Sequence, residues 1–170
     1  LILSSSGMRS VIFHEIISMA QDRHVLVLPR LKSDSHLIRY GYSPHSPHTV
    51  SEIVLREIHR ITAKRAIPLC MHVAETRDEV RLFRRKKSGL KRLYAAAGWD
   101  MNLASKARSP FELLRRIGIL SPAFLAVHAI HADDQDIALI RRSKAGIAHC
   151  PRSNHEIGVG TMHLKKFIDD

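Results

Sequence analysis

The sequence predicts an α/β fold, namely an incomplete (β/α)8 barrel of the TIM type that covers roughly strands three to seven. Short apolar runs alternate along the chain with stretches of helical periodicity, which is typical of a parallel sheet. Histidine-bearing segments close several of these runs, and a β/α barrel builds its site from the carboxyl ends of its strands. The chain contains neither a Gly-x-Gly-x-x-Gly turn nor a phosphate loop, whereas an open doubly wound sheet usually carries a Gly-rich turn at its switch point.

The first part of the chain holds two predicted strands and the clearest helix. Residues 11–13 form a β-branched and aromatic run, and residues 37–42 form a second apolar run. Both are expected to be buried strands. Ser51 is a suitable N-cap, and the apolar side chains that follow it recur at helical spacing up to residue 65.

The rest of the chain continues the alternation and ends abruptly. We expect strands at 67–73, 124–130 and 146–150, helical stretches at 78–87, 110–117 and 133–143, and an amphipathic helical tail at 167–170. A complete barrel needs about 250 residues, so 170 residues supply about five of its eight units. Because the chain starts at Leu1 and has no stop signal such as glycine at its end, we expect residues 1–170 to be one partial domain, truncated at both ends.

The composition predicts a protein without disulfides or membrane spans. Aromatic residues make up 5% of the chain and hydrophobic residues 45%, so burial must come mainly from aliphatic side chains, as in parallel α/β sheets. Cys70 and Cys150 lie far apart in apolar stretches, which predicts reduced thiols and a cytoplasmic protein. No run reaches the roughly 18 to 20 apolar residues of a membrane span.

The net charge of +11 raises the hypothesis of a nucleic-acid partner. However, the basic residues occur in separate groups within predicted helices, and no group alternates with aromatic residues. Solvated helix faces explain this charge better, so a nucleic-acid partner is not expected. A non-catalytic basic domain that binds polyanions remains the rival hypothesis. The groups are residues 84–87, 91–92, 115–116, 141–142 and 165–166.

His72 and Glu75 form the first candidate for chemistry. His72 ends an apolar run, and Glu75, three residues later, would lie on the opposite side if the strand continued. If the strand ends near Val73, the loop can turn Glu75 back over the barrel mouth, beside a metal held by His72. There the carboxylate can take a proton from water, because a divalent metal lowers the pKa of bound water from 15.7 to about 7. Neutral imidazole suits zinc and iron equally.

A second candidate pair is His128 and His131. His128 closes another apolar run in the same manner, and His131 follows three residues later with opposite parity. Since only one of the two can point straight into the barrel, we expect His128 to be a ligand and also to serve catalysis. His131 is then expected to support a ligand from behind or to contact the substrate.

His45 closes the segment Ser43-Pro44-His45, and two explanations for it stay open. The prolines in this region favour a turn without chemical function. Alternatively, His45 lies at the barrel mouth and hydrogen-bonds the substrate or a developing oxyanion.

Four segments, in this order, resemble the amidohydrolase superfamily, and most closely its branch of chlorohydrolases and of aminofutalosine and adenosylhomocysteine deaminases. Phe13-His14-Glu15 also matches the third-strand segment of that branch, so the resemblance runs along nearly the whole chain. The four segments are Gly41-Tyr42-Ser43-Pro44-His45-Ser46-Pro47, His72-Val73-Ala74-Glu75-Thr76, Ala126-Val127-His128-Ala129-Ile130-His131 and Cys150-Pro151-Arg152-Ser153-Asn154.

The resemblance implies a metal-dependent hydrolase that acts on C–N bonds, most simply a deaminase of purine or nucleoside-like small molecules. Water activated by the metal attacks the ring carbon that bears an amino group, and ammonia leaves. Zinc is the expected metal and iron the alternative, and the parent protein is a candidate homo-oligomer. The implied roles are metal binding for His72 and His128, proton transfer for Glu75, substrate orientation for His45, and a position beside the substrate for Arg152, Ser153 and Asn154.

Two parts of the family pattern are missing from the sequence. The 170 residues contain neither the first-strand His-x-His pair nor the last-strand aspartate. With two of five metal-site residues, this polypeptide alone is expected to bind metal weakly and to show little or no catalysis. A chlorohydrolase and an N-acyl hydrolase on the same scaffold are the alternative activities for the parent protein.

Overall fold

The computed structural model describes residues 6–19, 28, 36–99 and 107–168. Its centre is a parallel sheet of five strands whose spatial order is the order in the chain, β1-β2-β3-β4-β5. A doubly wound sheet reverses its strand order at a switch point, and this sheet has no reversal. The predicted α/β fold and barrel-type winding are therefore confirmed. The strands are β1 (Ser10–Ile16), β2 (Ile38–Pro44), β3 (Leu69–Val73), β4 (Phe124–His128) and β5 (Gly146–Ala148).

Helices lie between β2 and β3, between β3 and β4, and between β4 and β5, and most of them lie where the periodicity predicts them. Within the described ranges no helix is long and apolar enough to cross a membrane. Cys70 and Cys150 are both free thiols. The helices are α1 (Glu52–Ala63), α2 (Arg77–Phe83), α3 (Leu90–Ala96), α4 (Pro110–Ile117), α5 (Asp134–Ser143), α6 (Pro151–Glu156) and α7 (Lys165–Ile168).

Helix α1 shows how local signals and burial agree. The Ser51 side chain accepts a hydrogen bond from the backbone N–H of Val54, which is the N-cap bond that the sequence predicts. Val54, Leu55 and Ile58 are fully buried, whereas Ile53 on the other face is exposed. The apolar stripe of α1 thus packs onto the core while its polar face stays in solvent.

Helix α2 is shorter than predicted, because it ends at Phe83 and not at residue 87. Arg85 adopts a left-handed conformation with φ of 55°, and the N–H of Lys86 donates to the carbonyl of Arg81 at 2.8 Å. This is a Schellman-type ending, for which glycine is the usual signal. The basic group at 84–87 therefore lies beyond the helix, so its predicted helical placement is wrong.

Gly41 allows β2 and β3 to approach each other closely. A Cβ atom at this position would lie 2.5 Å from the carbonyl oxygen of Pro68 and 2.7 Å from the Phe13 ring. The register between the two strands has a single pair, Tyr42 with Leu69, and the N–H of Tyr42 donates to Pro68. A side chain at Gly41 would therefore push apart the strands that carry the histidine segments.

We expect Gly41→Ala to destabilise the chain by about 1–3 kcal/mol through overpacking. Gly146→Ala is the matched control, since its added Cβ would meet only the end of the Leu125 side chain closely, at 3.2 Å. Urea denaturation of both variants measures the difference. Equal stability of the two variants would show that the β2–β3 approach tolerates a side chain.

Candidate functional site

The polar residues of the site lie at the carboxyl ends of neighbouring strands. Glu15 is near the end of β1, His45 directly follows β2, His72 is the penultimate residue of β3, and His128 is the last residue of β4. Parallel strands end at a common edge of the sheet, so residues far apart in sequence meet there. The ring centroids of His45 and His72 are 5.1 Å apart, and those of His72 and His128 are 5.3 Å apart.

The orientation of His72 is set by the backbone directly after β2. Its Nδ1–H donates to the carbonyl oxygen of His45 at 2.9 Å, and its backbone N–H donates to the same oxygen at 3.0 Å. Because a carbonyl can only accept, Nδ1 carries a proton, and in the neutral ring Nε2 then keeps its lone pair. This is the arrangement by which metal-binding histidines are usually oriented.

His45 lies against His72 and is tied to its own loop. Its Nδ1 hydrogen-bonds with the hydroxyl of Thr49 at 2.7 Å, and that hydroxyl also bonds with Ser46 at 2.8 Å. Burial lowers the pKa of His45, as does the nearby His72, while Glu15 and Glu75 act in the opposite direction. A neutral imidazole is therefore favoured at this position.

His128 is held between Asn154 and Glu75. It is 4% exposed, and its Nδ1 lies 2.7 Å from the side-chain oxygen of Asn154, so Nδ1–H is the donor. Its Nε2 lies 3.2 Å from Oε1 of Glu75. This distance places the imidazole and the carboxylate within reach of each other, which makes them a candidate acid–base pair.

Left-handed residues turn the chain at the ends of both central strands. Ala74, directly after β3, has φ of 51°, and His128 and Ala129 have φ of 74° and 50°. Non-glycine residues rarely adopt such angles, and they are concentrated at functional sites. The turn at Ala74 ends the strand at Val73, as the sequence requires for Glu75 to reach the side of His72.

The two turns are also joined to each other. The N–H of Ala129 donates to the carbonyl of Val73 at 3.0 Å, and the N–H of His131 donates to the carbonyl of Ala74 at 2.9 Å. The backbones that carry Glu75 and His128 therefore form one hydrogen-bonded unit. This connection fixes the distance between the two side chains.

Three of the predicted substrate contacts are His131, Arg152 and Ser153. The Nε2 of His131 donates to the carbonyl of Val159 at 2.9 Å, and Arg152 and Ser153 are exposed on α6. In the part of the chain that the structure describes, none of these three side chains hydrogen-bonds to His45, His72 or His128. Their predicted substrate contacts stay predictions.

The comparison with known proteins begins with the family level. The sequence profile named Amidohydrolase family matches residues 17–170. The chain belongs to the amidohydrolase family. The resemblance predicted from the four segments is thus confirmed.

Curated relatives in this family are deaminases. The chain is 30% identical over 82% of its length to a 5-methylthioadenosine/S-adenosylhomocysteine deaminase from Pyrococcus abyssi. It is 26% identical over 96% of its length to a 5′-deoxyadenosine deaminase from Methanopyrus kandleri, and 31% identical over 76% to an aminodeoxyfutalosine deaminase from Deinococcus radiodurans. It spans 28%, 35% and 33% of the length of these three relatives.

Solved structures of the family share the fold. An adenosine deaminase from Xanthomonas campestris with bound zinc aligns with a TM-score of 0.60 at 23% identity, over 79% of this chain and 26% of that one. A guanine deaminase from C. acetobutylicum with bound guanine aligns with a TM-score of 0.63 at 22% identity, over 80% of this chain and 29% of that one. At this identity the alignments support the shared amidohydrolase fold.

The donors around His72 fit a divalent metal of the kind that amidohydrolases use. Ligand atoms of Glu15, His45 and His72 all lie within 4.8 Å of one another. Two imidazoles and one carboxylate, with a further position open, are a donor set typical of catalytic zinc sites. His128 is not in this set but faces Glu75, so the geometry fits its catalytic role more directly than its predicted role as a ligand.

Two acidic residues near this amidohydrolase site are not among the predicted site residues. Glu15 stands at a strand end as His45, His72 and His128 do. Glu79 belongs to Thr76-x-x-Glu79, which has the spacing of a capping box. The strand-end position of Glu15 and the spacing between Thr76 and Glu79 are therefore the sequence signals by which these two residues could be predicted.

Glu79 is expected to make the stability of the chain depend on pH. Burial raises the pKa of Glu79 to about 8, against 4.5 as its ordinary value. Because the folded-state pKa is raised, this contribution to stability is complete below about pH 4.5 and is lost as the pH rises through about 8. Denaturant titrations between these pH values should show a decline in the free energy of unfolding that Glu79→Gln removes. An unchanged slope in the variant would assign the decline to other groups.

Proposed function

We propose that this chain is the central part of a metal-dependent amidohydrolase that deaminates a purine or nucleoside-like small molecule. The observation that carries the proposal is the pairing of Glu75 with His128 at 3.2 Å, beside His72, whose Nε2 is left with a free lone pair. The relatives described as deaminases of adenosine-type compounds support the same reaction class.

His72 is the residue that we propose to hold the metal, with Glu15 and His45 as the nearest further donors. The ligand role predicted for His128 stays a prediction, because its Nδ1 bonds to Asn154 and its Nε2 faces Glu75. Zinc is our choice because imidazole and carboxylate donors suit it and because neighbouring folds are described with zinc. When bound, the metal polarises water and lowers its pKa from 15.7 to about 7.

The chain's own residues then supply proton transfer and orientation. Oε1 of Glu75 accepts a proton from the attacking water and returns it to the amino group that leaves as ammonia. His128 holds that carboxylate in place through Nε2, while Asn154 fixes the imidazole through Nδ1. His45 lies at the same mouth, where it can orient the purine ring.

The role of Asn154 differs from the one that the resemblance implies. A side chain beside the substrate should be accessible, but Asn154 is 1% exposed and its oxygen accepts from His128. We therefore propose that it positions His128, and that Arg152 and Ser153, which are exposed, are the residues of this segment free to meet a substrate.

An ammonia-release assay tests this function. The full-length parent protein, loaded with zinc, should release ammonia from 5′-deoxyadenosine, 5-methylthioadenosine or guanine, and chelation should abolish the release. Release of chloride from atrazine without deamination of any purine would overturn the proposal in favour of a chlorohydrolase. The 170-residue chain alone is expected to be inactive, because so few metal ligands are present.

A further inference from the structure

Glu79 is a buried carboxyl group whose partners are backbone N–H groups. It is 1% exposed, and within the described residues it forms no ion pair with a lysine or arginine. Oε1 accepts from the N–H of Ala74 at 2.9 Å, and Oε2 accepts from the N–H of Glu75 at 2.9 Å. Each oxygen thus binds one of two consecutive peptide groups at the turn that follows β3.

Helix capping alone does not explain this arrangement. The N-cap of α2 is Thr76, whose hydroxyl accepts from the N–H of Glu79 at 3.0 Å. In a capping box the glutamate three residues later bonds back to the N-cap residue itself. Here the carboxyl reaches past Thr76 to the two residues before it. The side chain therefore holds the turn as well as the helix.

The turn that Glu79 holds is the one that aims Glu75. Ala74 has a left-handed backbone, and its carbonyl accepts from the N–H of His131, so its peptide groups are fixed from both sides. A strand continuing through Ala74 would place Glu75 on the face opposite His72. The left-handed residue interrupts that alternation, and Oε1 of Glu75 comes within 3.2 Å of His128.

We propose that Glu79 is a positioning residue for the reaction, which holds the N–H groups of Ala74 and Glu75 so that the Glu75 carboxyl meets His128. This inference rests on the proposed function of Glu75 in proton transfer. Glu79 itself touches neither substrate nor metal, and it acts only through the backbone of the turn.

Glutamine tests the two hydrogen bonds that Glu79 accepts from the N–H groups of Ala74 and Glu75. A carboxyl group offers two acceptor oxygens, whereas the amide of glutamine offers one oxygen and one NH2 group. In Glu79→Gln the NH2 must face either the N–H of Ala74 or that of Glu75, so one bond is lost at nearly constant volume. Burial already raises the pKa of Glu79, so loss of its charge is a smaller change than loss of the second acceptor.

Helix α4 provides a matched control. Glu112 follows the N-cap Ser109 by three residues, as Glu79 follows Thr76, and its Oε2 accepts from the backbone N–H of Arg108 at 2.6 Å. Glu112→Gln therefore replaces a carboxyl by an amide at the same helix position, outside the strand-end residues of the site. It also weakens the ion pair of Glu112 with Arg116, which has no counterpart at Glu79.

The test compares both variants in the zinc-loaded parent protein. For Glu79→Gln we expect kcat to fall by about 100-fold, the penalty of a misplacement of about 1 Å, with KM and zinc content unchanged. Glu112→Gln should keep the wild-type kcat. In the double variant Glu75→Gln/Glu79→Gln, kcat should be no lower than in Glu75→Gln alone, because both changes remove the same proton transfer.

Three results would overturn the inference. The first is a wild-type kcat in Glu79→Gln, and the second is a loss of zinc or a raised KM in that variant in place of a lower kcat. The third is additive losses of kcat in the double variant. If Glu79→Gln does not fold, Glu79→Asp is measured instead, since its carboxyl keeps two oxygens on a shorter stem; an unchanged kcat in that variant also overturns the inference. A wild-type parent without any deaminase activity contradicts the proposed function, which is a separate outcome.

Discussion

Replacing His72 with alanine is expected to reduce the zinc content of the purified protein from its wild-type level to background. The free Nε2 of His72 is the donor at the centre of the cluster with Glu15 and His45, and its orientation is fixed by two bonds to one carbonyl oxygen. Loss of a residue that only hydrogen-bonds to a metal ligand typically lowers metal affinity by about 10- to 100-fold. Loss of the ligand itself should therefore exceed that range.

Elemental analysis after exhaustive buffer exchange measures this effect in the parent protein and in the 170-residue chain. His155→Ala is the control, because His155 is exposed on α6 and hydrogen-bonds to none of the site histidines. Zinc retained by His72→Ala at the level of the control would remove His72 from the metal site. Absence of zinc from a folded wild-type chain would show that residues outside the chain are required, as the missing His-x-His pair and aspartate predict.

Strands and capped helices could be predicted because their signals are local. Ser51 before α1 accepts the backbone N–H that its predicted N-cap role requires. Ser109 makes the same kind of bond before α4, and Pro110 begins that helix where proline is tolerated. Helix α3 contains the basic pair 91–92, which the sequence analysis places in a helix, but its bounds could not be predicted. Its N-cap is Gly89, whose lack of a side chain provides no capping bond to read from the sequence. Helix α6 is not among the predicted helices, although Pro151 at its first turn is a usable signal.

The site was predictable in part for a different reason. The grouping of His45, His72, Glu75 and His128 could be predicted because each ends a strand or its turn, and the sheet brings such ends together, while their roles stay predictions. The contact between Asn154 and His128 could not be found in this way, since it depends on how α6 starts after Cys150 and turns one side chain inward. Glu79 is a similar case, because its bonds depend on the left-handed turn at Ala74. Contacts that depend on tertiary geometry produce no periodic pattern in the sequence from which they could be predicted.

Glu75→Gln in the zinc-loaded parent is expected to lower kcat by about 10²- to 10⁴-fold, the usual contribution of a positioned general acid or base. Glutamine keeps the size of the side chain and its acceptor oxygen near His128, but it cannot take up the proton of water. Zinc content should stay at the wild-type level, which separates this variant from His72→Ala.

The control for Glu75→Gln is Glu52→Gln, a change on the solvent side of α1 where Glu52 pairs with Arg56. It should leave kcat unchanged, since exposed ion pairs contribute little even to stability. Turnover by Glu75→Gln equal to that of Glu52→Gln would exclude Glu75 as the proton carrier. Loss of zinc together with turnover would instead make Glu75 a ligand. Lost turnover with retained zinc is the one result that agrees with the proposed role. In that role the Glu75 carboxyl, aimed at His128 by the turn at Ala74, transfers a proton and does not bind the metal.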